Sequence, residues 1–119
     1  MLFRSDTTLF WTAEANCNYG EIIVDLEGIH DISVICIIER LDCSRINNYS
    51  VYISEDQVEW HSIVEKKLGL WYGQPQVLEF APRNARYIKI SIHDTIAGND
   101  GCREPGLSRV MVYQKPQNM

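Results

Sequence analysis

Two arginines and an aspartate lie close together at Arg40, Asp42 and Arg45, in a polar stretch between apolar runs. A guanidinium holds several N–H donors in a fixed fork, and a carboxylate only accepts. Together they suit a ligand covered in hydroxyls, which both accept and donate. A second group, Trp71 and Tyr72, stands in a segment punctuated by Gly69, Gly73 and Pro75. Aromatic rings set in such a loop offer a large, rigid surface for the C–H face of a sugar ring. A third group, Asp94, Asn99, Asp100 and Arg103, occupies a Gly-, Asp- and Asn-rich segment. The competing reading is a solvated ion-pair cluster beside aromatics that only cap a core, and such surface pairs contribute little.

Little points to catalysis. There is no G-x-S-x-G, H-E-x-x-H or phosphate-loop pattern. Glu14, Asp42, Asp94, Asp100 and Glu104 could supply a carboxylate pair for glycoside hydrolysis. A chain of 119 residues, however, leaves little room for a substrate cleft beside its core. The reading is therefore a non-enzymatic binding domain.

The scaffold must bring these segments together. Residues 21–26, 32–40, 49–54, 60–66, 76–80, 86–93 and 107–114 read as short strands. Ile22, Val24 and Leu26 alternate with polar positions, as do Ile88, Ile90 and Ile92, whereas 32–40 is apolar on both faces. Residues 27–31, 55–59 and 81–85 read as short turns, and residues 1–20 show no sustained period. Trp11 and Trp60 are assigned to the core, and Cys36 is a core thiol. The architecture implied is an all-β antiparallel sandwich of jelly-roll type, formed as one domain over 1–119.

If each strand crosses antiparallel to the one before, the connections alternate between two ends. One end then collects 12–20, 41–48, 67–75 and 94–106, with Glu14, Arg40, Asp42, Arg45, Trp71, Tyr72, Asp94, Asn99, Asp100 and Arg103. It also gathers Cys17, Cys43 and Cys102, so that a disulfide among these three is an expectation in an oxidising compartment. The other end carries only plain turns and His30. Binding on β-sandwiches usually sits on long loops held by a rigid frame, so the first end is the candidate site.

Composition excludes some partners. The formal net charge is −5, from 16 acidic and 11 basic residues, and no basic cluster offers a field for nucleic acid. No apolar run approaches the roughly 20 residues of a membrane span, and the first residues do not read as a signal peptide. No CxxC pair occurs, so a zinc site is not expected.

Several phrases occur in the order they take in discoidin-like domains, the type C domains of coagulation factors five and eight. Tyr49 to Trp60 resembles Y-x-V-x-x-S-x-D-x-x-x-W, and Asp6 to Trp11 resembles the opening D-G-n-x-x-T-x-W loop. Residues 23–26, 85–90 and 110–113 resemble the v-D-L, a-R-Y-v-r-i and closing E-v-x-v-Y strands. The resemblance implies a galactose-binding-like sandwich with a glycan or glycoprotein as partner, in an extracellular or cell-surface setting. It also implies a missing first strand, because only Met1 to Ser5 precede Asp6. Within the same group, residues 39–45 resemble the N-R-x-D-C-C-x-x-R loop of fucose-binding F-type lectins. Arg40 and Asp42 match, Arg45 comes early, a single Cys43 replaces the cysteine pair, and Ala13 stands at the position of the sugar-gripping His. Family members often carry a structural calcium; Asp6 and Thr8 match its ligands, but Arg109 stands where a Glu is usual. No other cofactor is implied.

The functional expectation is a non-catalytic module for a terminal galactose-like or fucose-like sugar. Arg40, Asp42, Arg45, Trp71, Tyr72, Asp100 and Arg103 would be its contacts. The alternative is a protein-interaction or assembly domain, oligomeric or part of a larger protein, with Trp71 and Tyr72 as interface anchors.

Overall fold

The computed structural model describes residues 4–12, 17–39, 45–69, 74–96 and 105–114, with backbone alone for 4–12. Among these, strands β1 (Arg4–Thr12), β2 (Gly20–Glu39), β3 (Arg45–Ser54), β4 (His61–Leu68), β5 (Gln76–Ile96) and β6 (Gly106–Tyr113) account for most of the described backbone. They pair antiparallel throughout, in the order β1-β6-β2-β5-β3-β4. The all-β antiparallel sandwich read from the sequence is the fold observed.

Two strands do most of the organising. β2 has 20 residues and β5 has 21. At about 3.3 Å per residue each would extend roughly 65–70 Å, yet the longest dimension of the molecule is 49 Å. Both therefore bend. Their pairing runs from Gly20↔Ile92 to Asp25↔Tyr87, breaks register, and resumes from His30↔Ala85 to Ile37↔Gln76. The N-terminal part of β2 and the C-terminal part of β5 make one half of the sandwich with β3 and β4. The C-terminal part of β2 makes the other half with β6, β1 and the start of β5.

This corrects the sequence reading at 27–31 and 81–85, which are bends inside continuous strands rather than breaks between strands. The turn chemistry is present but is used for a bulge. Glu27 adopts φ 65°, and its N–H donates to Asp25 Oδ1 at 2.8 Å. Pro82, which has no N–H to give, falls where the β2–β5 register shifts, between Ile32 and Val34. Because β2 and β5 bend side by side, the ladder survives the corner.

The strand β1 is a second correction. Asp6 to Trp11 reads as a polar turn with an aromatic pair, but it pairs with β6 as the sheet's edge strand. Its threonines and aromatics carry β propensity without apolar alternation, and an edge position does not demand that alternation. β3 begins at Arg45, not Tyr49, and β5 runs on to Ile96.

The core is packed from Val24, Leu26, Ile35, Ile37, Tyr49, Val51, Ile53, Ile88, Ile90, Ile92, Val110 and Val112, all buried. Ile32 to Ile37 is buried on both faces, as its unbroken apolar run implies, and burial pushes the Cys36 thiol pKa upward. Tyr49 is fully buried and hands its hydroxyl proton to Gln76 Oε1 at 2.9 Å. Trp60 departs from expectation. It is half-buried at the sheet surface, with Lys89 Nζ 4.2 Å from its ring centroid. A cation held over the ring shields it without placing it in the core.

Candidate functional site

The register shows which loop roots share an end. Gly20 lies opposite Ile92, Arg45 opposite Ile96, Asn48 opposite Leu68, Thr12 opposite Gly106, and Glu39 opposite Leu107. The strand ends flanking 13–19, 40–44, 69–75 and 97–105 thus converge. At the far end lie the bends of β2 and β5 and the short β3–β4 turn, where Tyr87 stands opposite both Asp25 and Ser54.

The two halves of the sandwich are tied at the long-loop end by Glu39. Its Oε2 accepts the Ile46 N–H at 2.9 Å, so a single carboxylate joins the end of β2 to the start of β3 across the connection 40–44. Ser108 Oγ donates to the Ile38 carbonyl at 3.2 Å beneath it. Glu39 is only 3% exposed, and its Oε1 has no hydrogen-bond partner among the described residues. Burial pushes its carboxyl pKa upward; the Ile46 N–H and the Arg45 charge oppose that shift without cancelling it. An unpaired buried carboxylate oxygen is costly, and this one stands at the root of the loop that carries Arg40 and Asp42.

A second tie involves Asp94. It accepts from Asn47 Nδ2, at 3.0 Å to Oδ2, and from Asn48 Nδ2. Asn47 O accepts the Gly69 N–H at 2.8 Å. These bonds link the starts of β3 and of the 69–75 connection to the end of β5. Asp94, grouped with the binding loop from sequence, is thus occupied in holding the scaffold.

Of the sequence-derived contacts, Arg45 is exposed at the first position of β3, on the rim of this end. Arg40, Asp42, Trp71, Tyr72, Asp100 and Arg103 lie outside the described residues, as do Cys43 and Cys102. Cys17 carries a free thiol, so the described part of the expected cysteine cluster is not disulfide-bonded. Glu39 was missed as an organising group. Its signal was a lone acid ending an otherwise apolar strand, a position where a charge needs a dedicated partner.

Asp6 and Thr8 sit on strand β1, and Thr8 lies directly opposite Arg109, Asp6 opposite Met111. The side chains of Asp6 and Thr8 lie outside the described residues, and no cluster of His, Cys, Asp and Glu suited to a metal occurs among those described.

The chain belongs to the F5/8 type C domain family, whose profile matches residues 2–104. Its fold is shared with solved glycoside-hydrolase domains. A GH29 fucosidase of Ruminococcus gnavus, solved in complex with fucose, is 26% identical with a TM-score of 0.70, over 91% of this chain and 20% of that one. This chain thus spans about a fifth of the fucosidase chain. CBM32-1 from a family 31 glycoside hydrolase of Clostridium perfringens is 17% identical with a TM-score of 0.71, over 88% of this chain and 76% of that one. The chitosan-binding module 1 of a Paenibacillus sp. IK-5 chitosanase/glucanase is 14% identical with a TM-score of 0.68, over 92% of each chain. Among curated proteins, none matches this sequence. No helix among the described residues is long and apolar enough to cross a membrane.

Proposed function

We propose that this domain is a non-catalytic carbohydrate-binding module. It takes a terminal galactose-like or fucose-like sugar at the long-loop end. The observation that carries the reading is the convergence of four loop roots around the Glu39 clamp. Two of those loops carry Arg40 with Asp42 and Trp71 with Tyr72, and a third carries Asp100 and Arg103. Guanidinium forks would donate to sugar oxygens, Asp42 would accept from hydroxyls, and the aromatic pair would stack on the C–H face. Family membership and a fold shared with CBM32 modules support the same reading.

Magnitude constrains it. At about 0.3 kcal/mol per heavy atom a monosaccharide gains roughly 4 kcal/mol, a millimolar affinity. The module therefore works by repetition or by attachment to a larger enzyme, which accords with its spanning a fifth of the fucosidase chain. The test is a glycan array followed by calorimetry on the strongest sugar. Arg40→Ala and Trp71→Ala each weaken binding at least tenfold if the reading holds. Wild-type behaviour of both variants, or no glycan bound, sinks it. A protein-assembly role would instead show a stable oligomer by light scattering, with Trp71 fluorescence indifferent to sugars.

A further inference from the structure

On the outer face of the half-sheet that carries β3, beside the long-loop end, an open groove of about 530 Å³ runs along β2 and β5. Tyr19, Gly20, Glu21, Ser91, Ile92 and His93 line it, and none of them is among the sugar contacts named for the loops. Tyr19 is 60% exposed, an unusual position for a large ring with no covering partner chain. Glu21 is exposed, and its Oε2 accepts the Ser91 hydroxyl at 3.0 Å, which fixes the carboxylate and leaves its other oxygen open.

His93 is oriented from below. Its Nε2 lies 2.7 Å from Ser50 Oγ, and Ser50 is buried and already accepts the Lys66 N–H at 2.9 Å. This contact orients an exposed imidazole ring, whose nitrogens donate or accept according to tautomer. Ring, carboxylate and imidazole thus line one groove, Glu21 and His93 on β2 and β5 and Tyr19 directly before β2.

We infer that this groove is a second sugar subsite, resting on the reading of the loop end as the primary one. Tyr19 closes the 13–19 connection, and β5 continues from His93 to Ile96 at the root of 97–105, so the groove leads directly away from that end. It takes the next residue of a glycan whose terminal sugar sits among the loops. Tyr19 stacks on the C–H face of that residue, Glu21 accepts from a hydroxyl, and His93 hydrogen-bonds a second hydroxyl. The carboxylate selects neutral or amino sugars over acidic ones. The domain then reads a chain end at least two residues long.

Calorimetry with galactose, fucose, and trisaccharides ending in each sugar tests this. Wild type is expected to bind the matching trisaccharide about tenfold tighter than the free terminal sugar. Tyr19→Ala removes that gain and leaves monosaccharide affinity unchanged, and Glu21→Gln removes part of it. Amide shifts at Tyr19, Glu21 and His93 should appear with the trisaccharide and not with the monosaccharide. Equal affinity for both ligands in wild type, or a gain that survives Tyr19→Ala, overturns the subsite while the loop-end site stands. Failure of every sugar to bind overturns both.

Discussion

The two ends of the sandwich are each secured by a carboxylate, and the two carboxylates are in opposite states. At the short-turn end Asp56 Oδ1 accepts the N–H groups of Val58 and Glu59, at 2.9 and 3.1 Å, and the Ser54 hydroxyl at 3.1 Å. Ser54 Oγ in turn accepts the N–H groups of Asp56 and Gln57. Donors surround an exposed carboxylate, and the Asp56 pKa is held below the usual 3.8. At the long-loop end Glu39 is buried with one oxygen paired and the other unpaired among the described residues, and burial lifts its pKa above the usual 4.5. One end is closed upon itself. The other keeps unspent polar capacity where long connections meet. Under the proposed function ligand recognition falls to the second kind of end, because a site must hold back some bonds for its ligand.

The largest effect should follow from removing Glu39. Glu39→Ala leaves the Ile46 N–H without its acceptor and opens a hole between the two halves, at a cost of roughly 2 kcal/mol. Urea denaturation reads the loss, and sugar affinity falls with it because the root of 40–44 is released. Glu39→Gln keeps an acceptor for Ile46 and should retain most of both. If Glu39→Ala matches wild type in stability, the clamp does not organise this end.

Acid separates the ends next. Glu39 binds its proton more tightly folded than unfolded, so in the window from 4.5 up to its raised value the folded state holds more protons. Its contribution to stability is therefore greatest at low pH and declines as pH rises through that window. Asp56 and Asp25 are lowered from 3.8, so their contribution is present above that value and is lost as pH falls through their folded pKa values. Denaturation midpoints measured from pH 3 upward should show Glu39→Gln removing the first slope and leaving the second. A first slope that survives Glu39→Gln would count against the contrast.

How far the sequence foretold this differs between the ends. The short turn at 54–57 was legible because Ser and Asp announce it with local bonds, which depend on no distant partner. The alternation of Ile88, Ile90 and Ile92 likewise placed the core face correctly. The corners at 27–31 and 81–85 were misread because the same polar residues serve a reversal or a bulge. Only the β2–β5 pairing, non-local in sequence, decides between them. Glu39 was opaque for a related reason. Its partner Ile46 lies beyond a loop, and the burial that raises its pKa is a property of the assembled halves. The groove at Tyr19 and His93 joins strands far apart in the chain, so no local motif could reveal it.

At the closed end, Ser54→Ala removes the acceptor of two turn N–H groups, and a loss of about 1 kcal/mol is expected. Sugar affinity should not change, because the turn lies at the pole away from the loops. An affinity change in Ser54→Ala comparable to that in Glu39→Ala would show that the ends are coupled through the core, and the division of labour would fail.

The smallest effect is expected at the Asp25–Arg86 pair, which also belongs to the closed end. Arg86 Nε donates to Asp25 Oδ1 at 2.9 Å and Nη2 to Oδ2 at 3.1 Å, a two-point contact between β2 and β5 just before the bend. Asp25 also accepts the Glu27 N–H, so the carboxylate helps hold the bulge residue at φ 65°. Both side chains are exposed, and water and salt weaken such a pair. Arg86→Ala should thus shift the urea midpoint slightly at low salt and not detectably at high salt, with the Glu27 bond intact. Asp25→Ala loses that bond as well and should keep a salt-independent remainder. The difference between the two variants isolates what the bulge itself contributes to bending β2, the step on which the convergence of the loops at the opposite end depends.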